Sequence, residues 1–107
     1  MKFYNLTPHD IEIVAASGVS VSIPASGVLA RVSVNRAHAF DVDGIGVFSN
    51  KVGAVTNLPD SDGRVFIVSR AVASAVPNRA DVVFPDDMIR AENGRIIGCR
   101  SFGYFSD

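Results

Sequence analysis

Cysteine is almost absent: Cys99 stands alone, so no disulfide can form within the chain. Long apolar runs are absent too. The longest, such as Val65-Phe66-Ile67-Val68, fall far short of the roughly 20 residues that a membrane-spanning helix needs. The opening Met1-Lys2-Phe3-Tyr4-Asn5 meets polar residues at once and holds no apolar signal core, so no signal peptide is expected. Nor is there a surplus of base, since ten Lys and Arg stand against eleven Asp and Glu, a net charge of -1. A protein that grips phosphate backbones normally carries a basic excess, so nucleic acid is not expected as the principal partner. Together these absences lead us to expect a reducing, cytoplasmic setting with no membrane partner.

What is present suits one folded unit. The 107 residues are 48% hydrophobic and 20% charged, a balance that excludes disorder and allows one domain spanning residues 1–107. A chain of this size buries roughly 65% of the surface it exposes when unfolded. Eight of the ten bases are Arg, and six of them lie between Arg64 and Arg100. Arginine presents a planar fork that matches phosphate or carboxylate. A GC-rich coding sequence produces the same enrichment with no functional meaning.

Strand signals dominate. Val19-Ser20-Val21-Ser22-Ile23 alternates apolar and polar with period two, and Leu29 to Val34 largely does the same; Ile11-Glu12-Ile13-Val14 is a shorter instance. Breakers separate them at Thr7-Pro8-His9-Asp10, Ser17-Gly18 and Pro24-Ala25-Ser26-Gly27. Turn pairs recur at Asp43-Gly44, Asp62-Gly63 and Asn93-Gly94, each tolerant of the positive φ of a two-residue hairpin turn. The last is expected to join Met88–Arg90 to Arg95–Ile97 as a hairpin. One segment departs from period two: Val68, Val72, Ala75 and Val76 fall at helical spacing, with Ser69 placed to cap the start and Pro77 to end it. A helix over about residues 69–76 is too short to stand alone and must dock on the sheet. Strands at Val65–Val68 and Asp81–Phe84 flank it as a local crossover. The expected fold is α+β and mainly β: a small rolled antiparallel sheet or partial barrel of six to eight strands with one short helix.

No catalytic set is assembled by spacing. His9, His38 and Cys99 are the only imidazoles and thiol, and no paired metal motif joins them. Asp41-x-Asp43-Gly44 and Asp60-x-Asp62-Gly63 resemble the opening of a calcium loop but lack its remaining oxygen ligands, so turn formation accounts for them better. Cys99 with His9 would make a thiolate–imidazole pair only if the fold joined them, and Ile96-Ile97-Gly98-Cys99 reads as an apolar strand with an inert buried thiol. Asp86-Asp87 would point to opposite faces of an extended chain and reads as a solvated loop. No metal or cofactor is expected.

Three places remain where a ligand would sit. Ser69 and Arg70 at the start of the helix put free N–H groups beside a guanidinium, an arrangement that attracts anions. Asn5, Thr7 and His9 set an amide, a hydroxyl and an imidazole around the rigid Pro8. Arg79 and Asp81 follow the helix, either as a surface pair or, with His9, as the wall of a shared groove.

Asn5-Leu6-Thr7-Pro8-His9, the Ile23-Pro24-Ala25-Ser26-Gly27 turn with Ala30-Arg31-Val32, and Ile67-Val68-Ser69 with its helix resemble a type of short accessory protein encoded in tailed-phage and prophage genomes. Arg79-x-Asp81-Val82-Val83 and Gly94-Arg95-Ile96-Ile97-Gly98 extend the resemblance over most of the chain. It implies synthesis in the cytoplasm of an infected host and implies no activity. Phe84-Pro85-Asp86-Asp87 departs from the pattern, where a small residue before the proline and a longer polar loop would be expected. The leading expectation is a non-enzymatic binding module for a small anionic, nucleotide-like ligand or a host protein. A minor virion or assembly protein is the alternative, a homo-oligomer with the aromatic tail Phe102-Gly103-Tyr104-Phe105 as a contact patch. A third reading is an enzyme whose site draws on His9, Cys99 or Arg79.

Overall fold

The computed structural model describes residues 2–106, so Met1 of the polar opening and Asp107 lie outside the described residues. Eight strands and one helix follow in the order β1 (Phe3–Asn5), β2 (Ile11–Val14), β3 (Ser20–Ile23), β4 (Arg31–Val42), β5 (Ile45–Thr56), β6 (Val65–Ile67), α1 (Arg70–Ala75), β7 (Val82–Arg90) and β8 (Ile96–Gly103). Six strands form a nearly closed sheet in the order β1-β6-β7-β8-β2-β3, a partial barrel. β4 and β5 form a separate two-stranded ribbon. No helix among the described residues is long and apolar enough to cross a membrane.

Local sequence accounts for the short elements. Ser69 caps α1, its Oγ accepting from the Val72 N–H at 3.3 Å, and the helix stops before Pro77. Six residues cannot hold a helix in water, so α1 depends on the burial of Val72 and Ala73 against the sheet. The β6–α1–β7 unit is a crossover joining parallel neighbours. Burial on both sides suits the continuous apolar run Phe66-Ile67-Val68, which is fully enclosed. Leu6, Phe66, Val68, Val72, Ala73, Val82 and Phe84 make the core, with Tyr4, Leu58 and Phe105 packed around it. Phe105 stacks on Phe84 at 4.9 Å and so packs against the core, whereas Phe102 meets the exposed Phe3 at 5.0 Å.

The ladder is mixed. β7–β8 and β2–β3 run antiparallel, whereas β1–β6, β6–β7 and β8–β2 are parallel. Alternation reports which face of a strand is buried and carries no information about a neighbour's direction, which is why the sequence pointed to an antiparallel sheet. β7 also continues through Pro85 and takes in Asp86-Asp87, which the sequence assigns to a loop. β6 pairs only as far as Val83, so no ladder on that side is left for the proline to break.

Of the expected two-residue turns, Asn93-Gly94 departs from expectation and Asp43-Gly44 meets it. Asn93-Gly94 does close β7 onto β8, but only Gly94 has positive φ. The Ala91 N–H donates to Arg95 O at 2.8 Å across a three-residue loop. The two-residue turn with both residues at positive φ is Asp43-Gly44, at φ 50° and 78°. It joins twelve-residue strands where the sequence suggested only Leu29 to Val34. From Ser33 to Val52 this ribbon is exposed on both sides save for Val47. It stretches the molecule to 52 × 39 × 29 Å, with a radius of gyration of 16.5 Å against about 13 Å for a compact chain of this length.

Candidate functional site

A cleft of about 560 Å³ lies where the β1–β2 loop, the start of β2, the Val68-Ser69 corner, β7 and β8 meet. Its rim carries Thr7, His9, Asp10, Glu12 and Ser69; its walls are Pro8, Ile11, Pro85, Met88, Ile96 and Ile97, with Cys99 at the base.

The rim is shaped by Asn5. This amide is 2% exposed and uses both ends: Nδ2 donates to His9 O at 2.9 Å and to Ile23 O at 3.0 Å, while Oδ1 accepts from the Thr7 N–H at 3.0 Å. The Thr7 hydroxyl lies 2.6 Å from Asn5 Oδ1 and 3.0 Å from His9 O. Asn5 and Thr7 are therefore occupied in holding the loop and present little to a ligand. Asp10 Oδ1 accepts from the Ala25 N–H at 2.9 Å, tying the same loop to the turn after β3. His9 is exposed, and its ring makes no hydrogen bond among the described residues.

Gly98 allows the far wall to close. A Cβ there would lie 2.9 Å from the Glu12 carbonyl oxygen, so only glycine lets β8 run beside β2 at this point. Next to it, Cys99 pairs with Ile13 and is 1% exposed. Burial pushes its thiol above the ordinary 9.0, which keeps thiolate scarce at neutral pH. His9 and Cys99 line the same cleft, but no hydrogen bond joins them and nothing orients the imidazole as a base.

The remaining candidates lie elsewhere. Ser69 sits at the cleft, but its Oγ is committed to the Val72 N–H. Arg70 turns away from it and places its guanidinium over Phe84 and Phe105, at 4.9 and 5.3 Å from the ring centroids. Arg79 and Asp81 line a second, shallower hollow of about 500 Å³ with Ser61, Gly63, Arg64 and Asn78. The structure thus separates His9 from Arg79, which the sequence allowed to share a groove.

In the second hollow Arg79 grips Asp81 with two bonds, Nε to Oδ1 at 3.1 Å and Nη2 to Oδ2 at 2.8 Å, and Nη2 also reaches Pro59 O and Ser61 Oγ at 3.2 Å. Ser61 Oγ donates to Asp81 Oδ2 at 2.7 Å. These bonds, led by the one from Arg79, hold the Asp81 carboxyl below its ordinary range. Arg64 is matched in the same way by Asp62, with Nη2 to Oδ2 at 2.7 Å. Each cation here already has its anion. Among the described residues no group of three His, Cys, Asp or Glu side chains converges on a point where a metal ion would bind.

Sequence reasoning named Thr7, His9 and Ser69 on the rim but missed the apolar walls. Met88, Ile96 and Ile97 read there only as strand residues, and the alternation of β8 does not reveal that its exposed side faces a hollow. No protein-family model, curated protein or solved structure matches the chain.

Proposed function

We propose that this protein is a non-enzymatic binding module whose cleft takes a small molecule with an apolar body and a neutral or cationic polar end. The observation that carries the reading is the cleft's composition: apolar walls, a rim with Asp10 and Glu12, and no Lys or Arg in the lining. Its volume of about 560 Å³ falls within the range usual for small-molecule sites. An anionic guest would meet two carboxylates there, and in the second hollow it would have to displace Asp62 or Asp81 from bidentate arginine contacts. The buried Cys99 thiol and the unoriented His9 favour capture over reaction. A free thiol is at home in a reducing compartment, in keeping with a phage-type accessory protein acting in the host cytoplasm.

Three probes test this by thermal shift and by NMR titration: tryptamine, indole-3-acetate and ATP. Tryptamine is expected to stabilise the protein and to shift resonances of Met88, Ile97 and His9, with indole-3-acetate weaker despite its identical ring. Ile97→Arg should abolish the effect. Stabilisation by ATP alone, with resonances moving at Arg64 and Arg79, would replace this reading with the nucleotide-like ligand.

A further inference from the structure

Toward its tip the β4–β5 ribbon has one face whose side chains pack on one another and one whose side chains do not, while Val34 and Val52 at the base of the first face are 53% and 54% exposed. Arg36, His38, Asp41 and Phe48 share the first. The Arg36 guanidinium lies 3.8 Å from the Phe48 ring centroid, His38 packs edge-on to that ring at 5.3 Å, and His38 Nε2 lies 3.0 Å from Asp41 Oδ1. The register places Asn35↔Lys51, Ala37↔Ser49, Phe40↔Val47 and Val42↔Ile45 on the other face. There Phe40, Val42 and Ile45 are 55%, 51% and 69% exposed. A lone two-stranded ribbon is marginal in water, and a third strand or an opposing surface is what normally steadies one. An exposed apolar cluster at its tip marks a contact surface.

The chemistry of this face is complementary to itself. Its outer half is bulky, with Phe40, Val42, Ile45 and Val47, and runs out at the turn, where Asp43 is exposed at the tip shared by both faces. Its inner half is small and ends in a cation: Ala37, Ser49, then Asn35 with Lys51. We propose that the occupant of this face is the same face of a second copy, laid antiparallel about a two-fold axis near Ala39. In that arrangement Phe40 and Val47 of each copy cover Ala37 and Ser49 of the other, and Asp43 of each meets Lys51 of the other. Both charge contacts are attractive, whereas a parallel arrangement would set Asp43 beside Asp43 and leave Lys51 over Asn35 with no opposite charge. An isologous contact of this kind closes as a dimer. The proposal does not depend on what the cleft binds.

Sedimentation velocity of the full chain from about 1 μM to about 1 mM tests it. A concentration-dependent dimer is expected. Phe40→Asp should weaken it by about 30-fold or more, the size of effect seen when a buried interface anchor is lost. Lys51→Glu should weaken it as well, by facing Glu with Asp43, and adding Asp43→Asn should restore much of the association. Should Phe40→Asp unfold the ribbon, the Lys51→Glu and Asp43→Asn pair still decides, because both positions are exposed. A chain that stays monomeric to about 1 mM overturns the proposal, as does a dimer indifferent to Phe40→Asp and Lys51→Glu. A monomer that instead seats an unrelated protein on Phe40 and Ile45 overturns it too.

Discussion

At the scale of single residues, Asn5 carries the most structural weight for its size. Its side chain makes both donor bonds and accepts from Thr7, all in a site that water barely reaches. Truncation to alanine would take the side-chain donor from the Ile23 carbonyl and the acceptor from the Thr7 N–H, and leave His9 O with the Thr7 hydroxyl alone, so Asn5→Ala is expected to cost about 2–4 kcal/mol in urea unfolding. Asn5→Asp should cost more at neutral pH, because a carboxylate would then face two carbonyl oxygens. Asp81 makes a second prediction. Its folded pKa lies below the ordinary 3.8, so its stabilising contribution is present above that value and is lost as pH falls through the lower folded value. Unfolding followed from pH 6 to pH 2 should show stability declining below about pH 4, and Asp81→Asn should flatten that decline. An unchanged slope in the variant would assign the acid sensitivity to other carboxylates.

At the scale of elements, the joint between β2 and β8 is the most exacting. These strands run in parallel with Ile13 opposite Cys99, and Gly98 beside that pair has no room for a side chain. In Gly98→Ala the new methyl would press on the Glu12 carbonyl, which is backbone and cannot rotate aside. A loss of about 1–3 kcal/mol is expected in thermal or urea melts, together with weaker binding in the cleft that both strands line. A melt within error of the parent would mean that β2 slides without penalty. The helix illustrates the opposite case. Ser69, Pro77 and the spacing of Val68, Val72 and Val76 announce it without help from the rest of the chain. β2 and β3 are equally plain in their alternation.

At the scale of the whole molecule, the ribbon is an appendage. Only its base residues Val32 and Val55 pack against the core; the stretch beyond them stands in solvent. Replacing residues 34–53 with an Asn-Gly turn is therefore expected to leave a body that melts cooperatively within a few degrees of the parent. Small-angle scattering on dilute samples should show the radius of gyration falling from near 16.5 Å to about 12–13 Å. Loss of the cooperative transition would show instead that the ribbon supports the core. The ribbon's full length was illegible because residues 33 to 41 carry no sustained apolar alternation. Pairing with β5 across Asp43-Gly44 makes that segment a strand.

Interactions within a few residues are written in the chain and can be read from it. The Ser69 cap, the break at Pro77, and the places of the turns at Ser17-Gly18, Asp43-Gly44 and Asn93-Gly94 are all of this kind. Neighbours distant along the chain are another matter. Whether β8 lies beside β2, and in which direction, depends on how several amphipathic strands together bury the most apolar surface, and no short window of residues encodes that total. Packing therefore decided that His9, Met88 and Ile97 line one cleft, that Arg79 lies in a different hollow, and that Phe40 and Ile45 remain in water.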